Sequence, residues 1–90
     1  MTERWILDLS DTAIKQMNKI DKKTRARIML FLEERVIVSK RPKSLAKPLK
    51  GHLSPFWRFR VGDYRIIADI LDDRLIIQVV EVGHRREIYH

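Results

Sequence analysis

Phe56-Trp57-Arg58-Phe59-Arg60-Val61-Gly62-Asp63-Tyr64-Arg65-Ile66-Ile67-Ala68-Asp69-Ile70-Leu71-Asp72-Asp73-Arg74-Leu75-Ile76-Ile77-Gln78-Val79-Val80-Glu81-Val82 is the stretch that decides the fold. Runs rich in β-branched and aromatic residues, 56–61, 64–71 and 74–82, are separated by Gly62-Asp63 and Asp72-Asp73. Each separator has the length of a two-residue hairpin loop, and the first has the better turn chemistry. Those loops dictate registers. Gly62-Asp63 pairs Val61 with Tyr64, Arg60 with Arg65, Phe59 with Ile66 and Trp57 with Ala68. Asp72-Asp73 pairs Leu71 with Arg74, Ile70 with Leu75, Ala68 with Ile77 and Ile66 with Val79. Side chains alternate across a strand, so one face collects Trp57, Phe59, Val61, Ile66, Ala68, Ile70, Leu75, Ile77 and Val79, all apolar. A three-stranded antiparallel meander with one buried face is the expectation.

The opposite face is expected to carry Arg58, Arg60 and Arg65 together with Ile67, Asp69, Ile76, Gln78 and Val80. Arg60 and Arg65 would stand directly across the hairpin, where like charges cost a few tenths to ~1 kcal/mol. Stability alone does not select that arrangement. A guanidinium cluster that receives phosphate does.

Upstream, Lys40–Pro55 holds all three prolines and Gly51, which predicts a basic connector rather than a packed element. Before it, two helical patterns stand back to back. Ser10 and Asp11 open the first, with Ala13, Ile14, Met17 and Ile20 at helical spacing. Asp21 caps the second, whose apolar stripe is Ile28, Met29, Phe31, Leu32, Val36 and Ile37. It should fade near Ser39, because Arg41 precedes Pro42. Arg4–Leu9 reads as a short first strand. The sequence therefore predicts an α+β fold: a short N-terminal strand, an α-helical hairpin, then the meander, in one domain spanning residues 1–90.

The 90 residues carry a formal charge of +7 and no cysteine, which excludes disulfides and thiolate metal sites. Lys40, Arg41, Lys43, Lys47, Lys50, Arg58, Arg60 and Arg65 face Asp63 alone, so the whole excess lies between residues 40 and 65. An anionic partner at that surface follows. A second basic cluster, Lys22, Lys23, Arg25 and Arg27, reads as a solvated helix face or an RNA-backbone contact. His52, His84 and His90 lack ligand-like spacing, so no metal and no cofactor are expected. With no signal-peptide layout and no apolar run near ~18 residues, a cytoplasmic protein without a membrane partner is expected.

Leu49-Lys50-Gly51, the run Trp57 to Ile67 and Val82-Gly83-His84-Arg85-Arg86, in this order of elements, resemble the RelE/ParE toxin superfamily of bacterial type II toxin–antitoxin systems. The resemblance implies a RelE-like small ribonuclease fold. Its RelE branch implies a metal-independent mRNA endoribonuclease, an mRNA interferase acting in the ribosomal A site, held in a hetero-oligomer with a cognate antitoxin. Its ParE branch implies a DNA gyrase inhibitor, and a non-catalytic basic RNA- or protein-binding module is the third alternative. Carried over by position, Arg65, Arg85 and Tyr89 are the implied catalytic residues, and the C-terminal tyrosine favours the ribonuclease branch. Arg58 and Arg60, with Lys43, Lys47 and Lys50, are the expected RNA-binding residues. Arginine stays protonated, so Arg58 and Arg60 cannot accept the proton of an attacking 2′-hydroxyl. Tyr89, His84 and His90 are the alternatives for that base.

Overall fold

The computed structural model describes residues 4–53 and 55–84. Its centre is the Gly62-Asp63 hairpin. Strand β3 (Trp57–Val61) runs antiparallel to β4 (Tyr64–Leu71), with Val61 opposite Tyr64, Arg60 opposite Arg65, Phe59 opposite Ile66 and Trp57 opposite Ala68. Every expected pair of this hairpin is present. The left-handed φ of the turn, +58°, falls on Gly62, the glycine-first pattern of a type II′ loop.

Strand β5 (Ile76–His84) also pairs antiparallel with β4, but not in the expected register. Leu71 stands opposite Ile76, so the loop is Asp72–Leu75 and not Asp72-Asp73. A two-residue type I′ loop needs positive φ at both positions, and neither aspartate adopts it. Leu75 takes the left-handed conformation instead, with φ 53°. The slip is two residues, which preserves which face each side chain occupies up to Val79. Beyond that point a bulge intervenes: Ala68 pairs with Val79 but Ile67 with Glu81, leaving Val80 as the extra residue. The bulge exchanges the faces of everything after it. The expected place of Val80 in the alternation is thus lost, and Glu81 takes the face of Arg65 and Ile67.

Among the described residues the expected meander of three strands is extended by two edge strands, β1 (Ile6–Leu9) and β2 (Lys47–Pro48), in the order β1-β5-β4-β3-β2. Strand β1 (Ile6–Leu9) lies parallel to β5, with Leu7 opposite Ile77 and Leu9 opposite Val79. The connector contributes β2 (Lys47–Pro48), antiparallel to β3, between 3-10 turns at Pro42–Leu45 and Gly51–Leu53. That corrects its reading as a segment without packed structure. Pro48 fits there because β2 is an edge strand and its missing N–H interrupts no interior ladder.

Two helices cover one face. Helix α1 (Asp11–Asn18) is capped by Ser10, whose Oγ accepts the Ala13 N–H at 3.0 Å. Helix α2 (Lys22–Phe31) is capped by Asp21, whose carboxylate accepts the Thr24 N–H at 3.0 Å. That backbone bond, with one from the Thr24 side chain, holds the Asp21 carboxyl below its ordinary range. Helix α2 runs on into a π-helical turn, Leu32–Val36, where the Ile37 N–H bonds the Leu32 carbonyl. Ala13 and Met17 from α1, and Ile28, Leu32 and Val36 from α2 and its extension, bury against Phe59, Ile66, Ala68, Ile77, Val79 and Val82. Phe59 is fully buried and meets Phe31 edge to face, ring centroids 6.1 Å apart. Among the described residues, no helix is long and apolar enough to cross a membrane.

Candidate nucleic-acid interface

The face of the sheet turned away from the helices is the candidate site. Because cross-strand partners share a face, the ladders define its rows. One row is Arg60 and Arg65, followed by Gly83 on β5. The next is Lys47, Arg58, Ile67 and Glu81, spanning β2 to β5. Arg58, Arg60 and Arg65 therefore do share a face, and the costly Arg60–Arg65 opposition is real. Arg60 is exposed, Arg58 half-buried, and Arg65 only 8% exposed. A charged side chain so deeply embedded has its stem fixed by packing, so its guanidinium loses little freedom when an anion arrives.

Beside these rows lies a cleft of about 240 Å³ lined by Ser44, Leu45, Ala46, Lys47, Arg58 and Arg60. Its three cations, Lys47, Arg58 and Arg60, suit a phosphodiester chain, which is held largely through charge. The turn after α2 supplies one wall only because Pro42 starts a 3-10 turn that leads directly into β2.

The other expected contacts are distributed differently. Lys43 bonds the Asp72 carboxylate and lies 5.4 Å above the Trp57 ring. It lines a second cleft of about 420 Å³ with Trp5, Lys40, Arg41, Pro42, Ser44 and Asp72. Lys50 is exposed on the loop after β2. His84 pairs with Tyr64 and meets its ring edge to face at 5.6 Å, on the helix-covered side of the sheet, away from Arg65. Arg85, Tyr89 and His90 lie outside the described residues.

Two further side chains stand near the face, one from the second basic cluster and one that the sequence does not announce. Arg27 of α2 reaches the hairpin tip: a Cβ at Gly62 would stand 3.2 Å from its Nη1. The turn requires glycine for its φ, and the nearest side-chain atoms to it belong to the guanidinium of Arg27. Glu81 is the other, delivered by a bulge that the alternation of β5 does not reveal.

The sequence profile of the ParE toxin of type II toxin–antitoxin systems, parDE, matches residues 7–89. The chain belongs to that family. It is a type II toxin–antitoxin toxin of the RelE/ParE superfamily, with a RelE-like α+β fold. Toxin RelG of Mycobacterium tuberculosis (strain ATCC 25618 / H37Rv) is 28% identical over 85 residues, 94% of this chain and 95% of that protein. Among solved structures, the toxin–antitoxin complex RelBE2 of M. tuberculosis superposes with a TM-score of 0.85 at 22% identity. That match covers 97% of this chain and 98% of that one. The isolated E. coli RelE toxin superposes with a TM-score of 0.71 at 23% identity, over 89% and 83% of the two chains. At these identities the structural matches speak for the fold, while the family and the RelG relative speak for the class of toxin.

Proposed function

We propose that this toxin is a metal-independent endoribonuclease that cuts mRNA in the ribosomal A site, in the cytoplasm, until an antitoxin of the RelB kind masks it. The single observation that carries this reading is the row of Arg60 and Arg65 with Arg58 in the row beside it. Three guanidiniums concentrated on one sheet face, against a repulsion of a few tenths to ~1 kcal/mol for the directly opposed pair, suit a ligand that brings its own negative charge. The RelE-like fold and the RelG relative support the same reading.

The chemistry is attack of a ribose 2′-hydroxyl on the adjacent phosphate. Arg65, fixed by its burial, holds the scissile phosphate and stabilises the charge that accumulates in the transition state. Arg58, Arg60 and Lys47 guide the flanking backbone along the cleft. Arg85 is the second phosphate-holding residue and Tyr89 a stacking platform, both by resemblance. Antitoxin binding over the sheet, or over the groove beside the helices, would cover the arginine rows and neutralise them.

Primer extension on bacterial mRNA after brief induction tests this. New 5′ ends inside translated codons are the expected result. Intact messages accompanied by DNA breaks with trapped gyrase would replace the ribonuclease reading with gyrase poisoning. Growth arrest with neither would leave a non-catalytic binding module.

A further inference from the structure

The bulge in β5 is built and clamped. Skipping Val80 takes backbone groups out of the β4–β5 ladder, and helix α1 receives them. The Ser10 hydroxyl, already the acceptor of the Ala13 N–H, donates to the Val80 carbonyl at 3.0 Å. The Val82 N–H donates to Gln16 Oε1 at 2.6 Å. The Ser10 N–H bonds the Val79 carbonyl at 2.8 Å. One N-cap residue and one helical glutamine thus hold both sides of the irregularity, with sequence separations of 70 and 66 residues. Bulges re-aim a side chain or end a ladder. The ladder here continues through Ile66–Val82, Arg65–Gly83 and Tyr64–His84, so re-aiming is what this one achieves. It moves Glu81 from the helix-covered face to the arginine face.

The surroundings of Glu81 follow from the ladders. Ile67, buried to 6% exposure, stands directly across from it. Arg65 is its diagonal neighbour on β4 and Asp69 the other diagonal. Arg58 and Lys47 continue its row beyond Ile67. Diagonal neighbours lie roughly 7–8 Å apart at Cβ, within reach of long side chains. Gly83 puts no side chain between Glu81 and the guanidinium of Arg65. Lys19, the C-cap of α1, lines a cleft on the helix side with Gln16, Tyr64 and Val82, and His84 shares that side.

A carboxylate in this position supplies what arginines lack. Guanidinium groups hold phosphate but cannot take a proton, whereas a carboxylate can. We propose that Glu81, aimed by the α1-clamped bulge, is the general base that accepts the 2′-hydroxyl proton. The assignment rests on the ribonuclease reading above. In the step, the O2′–H proton passes to the Glu81 carboxylate and the O2′ electron pair forms a bond to phosphorus. The P–O5′ bond breaks with its pair on O5′, which takes a proton from water. The products are a 2′,3′-cyclic phosphate and a 5′-hydroxyl, and the hydroxide left by that water recovers the proton from Glu81. Ser10 and Gln16 are positioning residues that act through the bulge.

Single-turnover cleavage of a defined mRNA on programmed ribosomes, measured across pH, decides the matter. Wild type should cleave with a rate that rises with pH and then levels. Glu81→Gln should lower that rate about 100-fold and flatten its rise, and Glu81→Asp should restore part of both. Cleavage by Glu81→Gln within about threefold of wild type overturns the assignment. So does a slowed variant whose pH profile is unchanged, since a merely structural glutamate would behave that way. Absence of cleavage by wild type overturns the ribonuclease reading itself, and the assignment with it.

Discussion

Arg65→Ala should lower mRNA cleavage about 1,000-fold, the upper end of what loss of one preorganised charge-stabilising donor costs. Arg65 is the arginine that burial fixes in place, opposite Arg60 and diagonal to Glu81. Its removal deletes the most deeply buried of the described arginines on that face. Folding should be little affected. Relief of the Arg60 repulsion is worth a few tenths to ~1 kcal/mol, which offsets packing lost along the arginine stem. The melting temperature should therefore stay within about 5 °C of wild type. Arg65→Lys keeps the charge but loses the planar fork, and should recover only part of the activity. Cleavage assays on programmed ribosomes, with thermal unfolding in parallel, read both effects. A fully active, well-folded Arg65→Ala variant would remove Arg65 from the site.

Phe59→Ala should cost about 3–5 kcal/mol, the range for truncating a buried aromatic. Phe59 has no exposure, packs edge to face on Phe31, and stands on β3 between Arg58 and Arg60. A domain of this size has a total stability of about 5–15 kcal/mol, so the loss is a large share of the whole. It should appear as a fall in melting temperature of roughly 15–30 °C. Activity at low temperature should survive in the folded fraction, because the arginines point to the other face. A fall of only about 5 °C would mean that the helix layer does not rest on β3 as described.

The β3–β4 hairpin was legible residue by residue, because Gly62-Asp63 is a loop whose chemistry fixes a register and alternating Trp57, Phe59 and Val61 fix the buried face. With it came the arginine face, since Arg58 and Arg60 are forced outward by the same alternation. The helix caps were equally plain: Ser10 and Asp21 each bond a backbone N–H three residues on. Legibility ended where long-range bonds took over from local chemistry. Asp72-Asp73 lacks a glycine, and the chain turned at Leu75 instead, aided by the Ile6 N–H bonding the Leu75 carbonyl at 2.7 Å. The bulge at Val80 depends on Ser10 and Gln16, far away in sequence, and no periodicity in β5 announces it. Its consequences were missed together: Glu81 joined the arginines, and His84, a candidate base by composition, went to the opposite face. Strand β2 escaped notice because two residues paired at a sheet edge leave no pattern among prolines and lysines.

The most direct test of phosphate holding for 2′-hydroxyl attack uses a programmed ribosome and an mRNA with one altered atom. The unmodified message should be cut in the A site, leaving a 2′,3′-cyclic phosphate. A message with a single 2′-deoxy nucleotide on the 5′ side of that cut should remain whole. Cleavage of the deoxy message at the same position would contradict the role assigned to the arginine face.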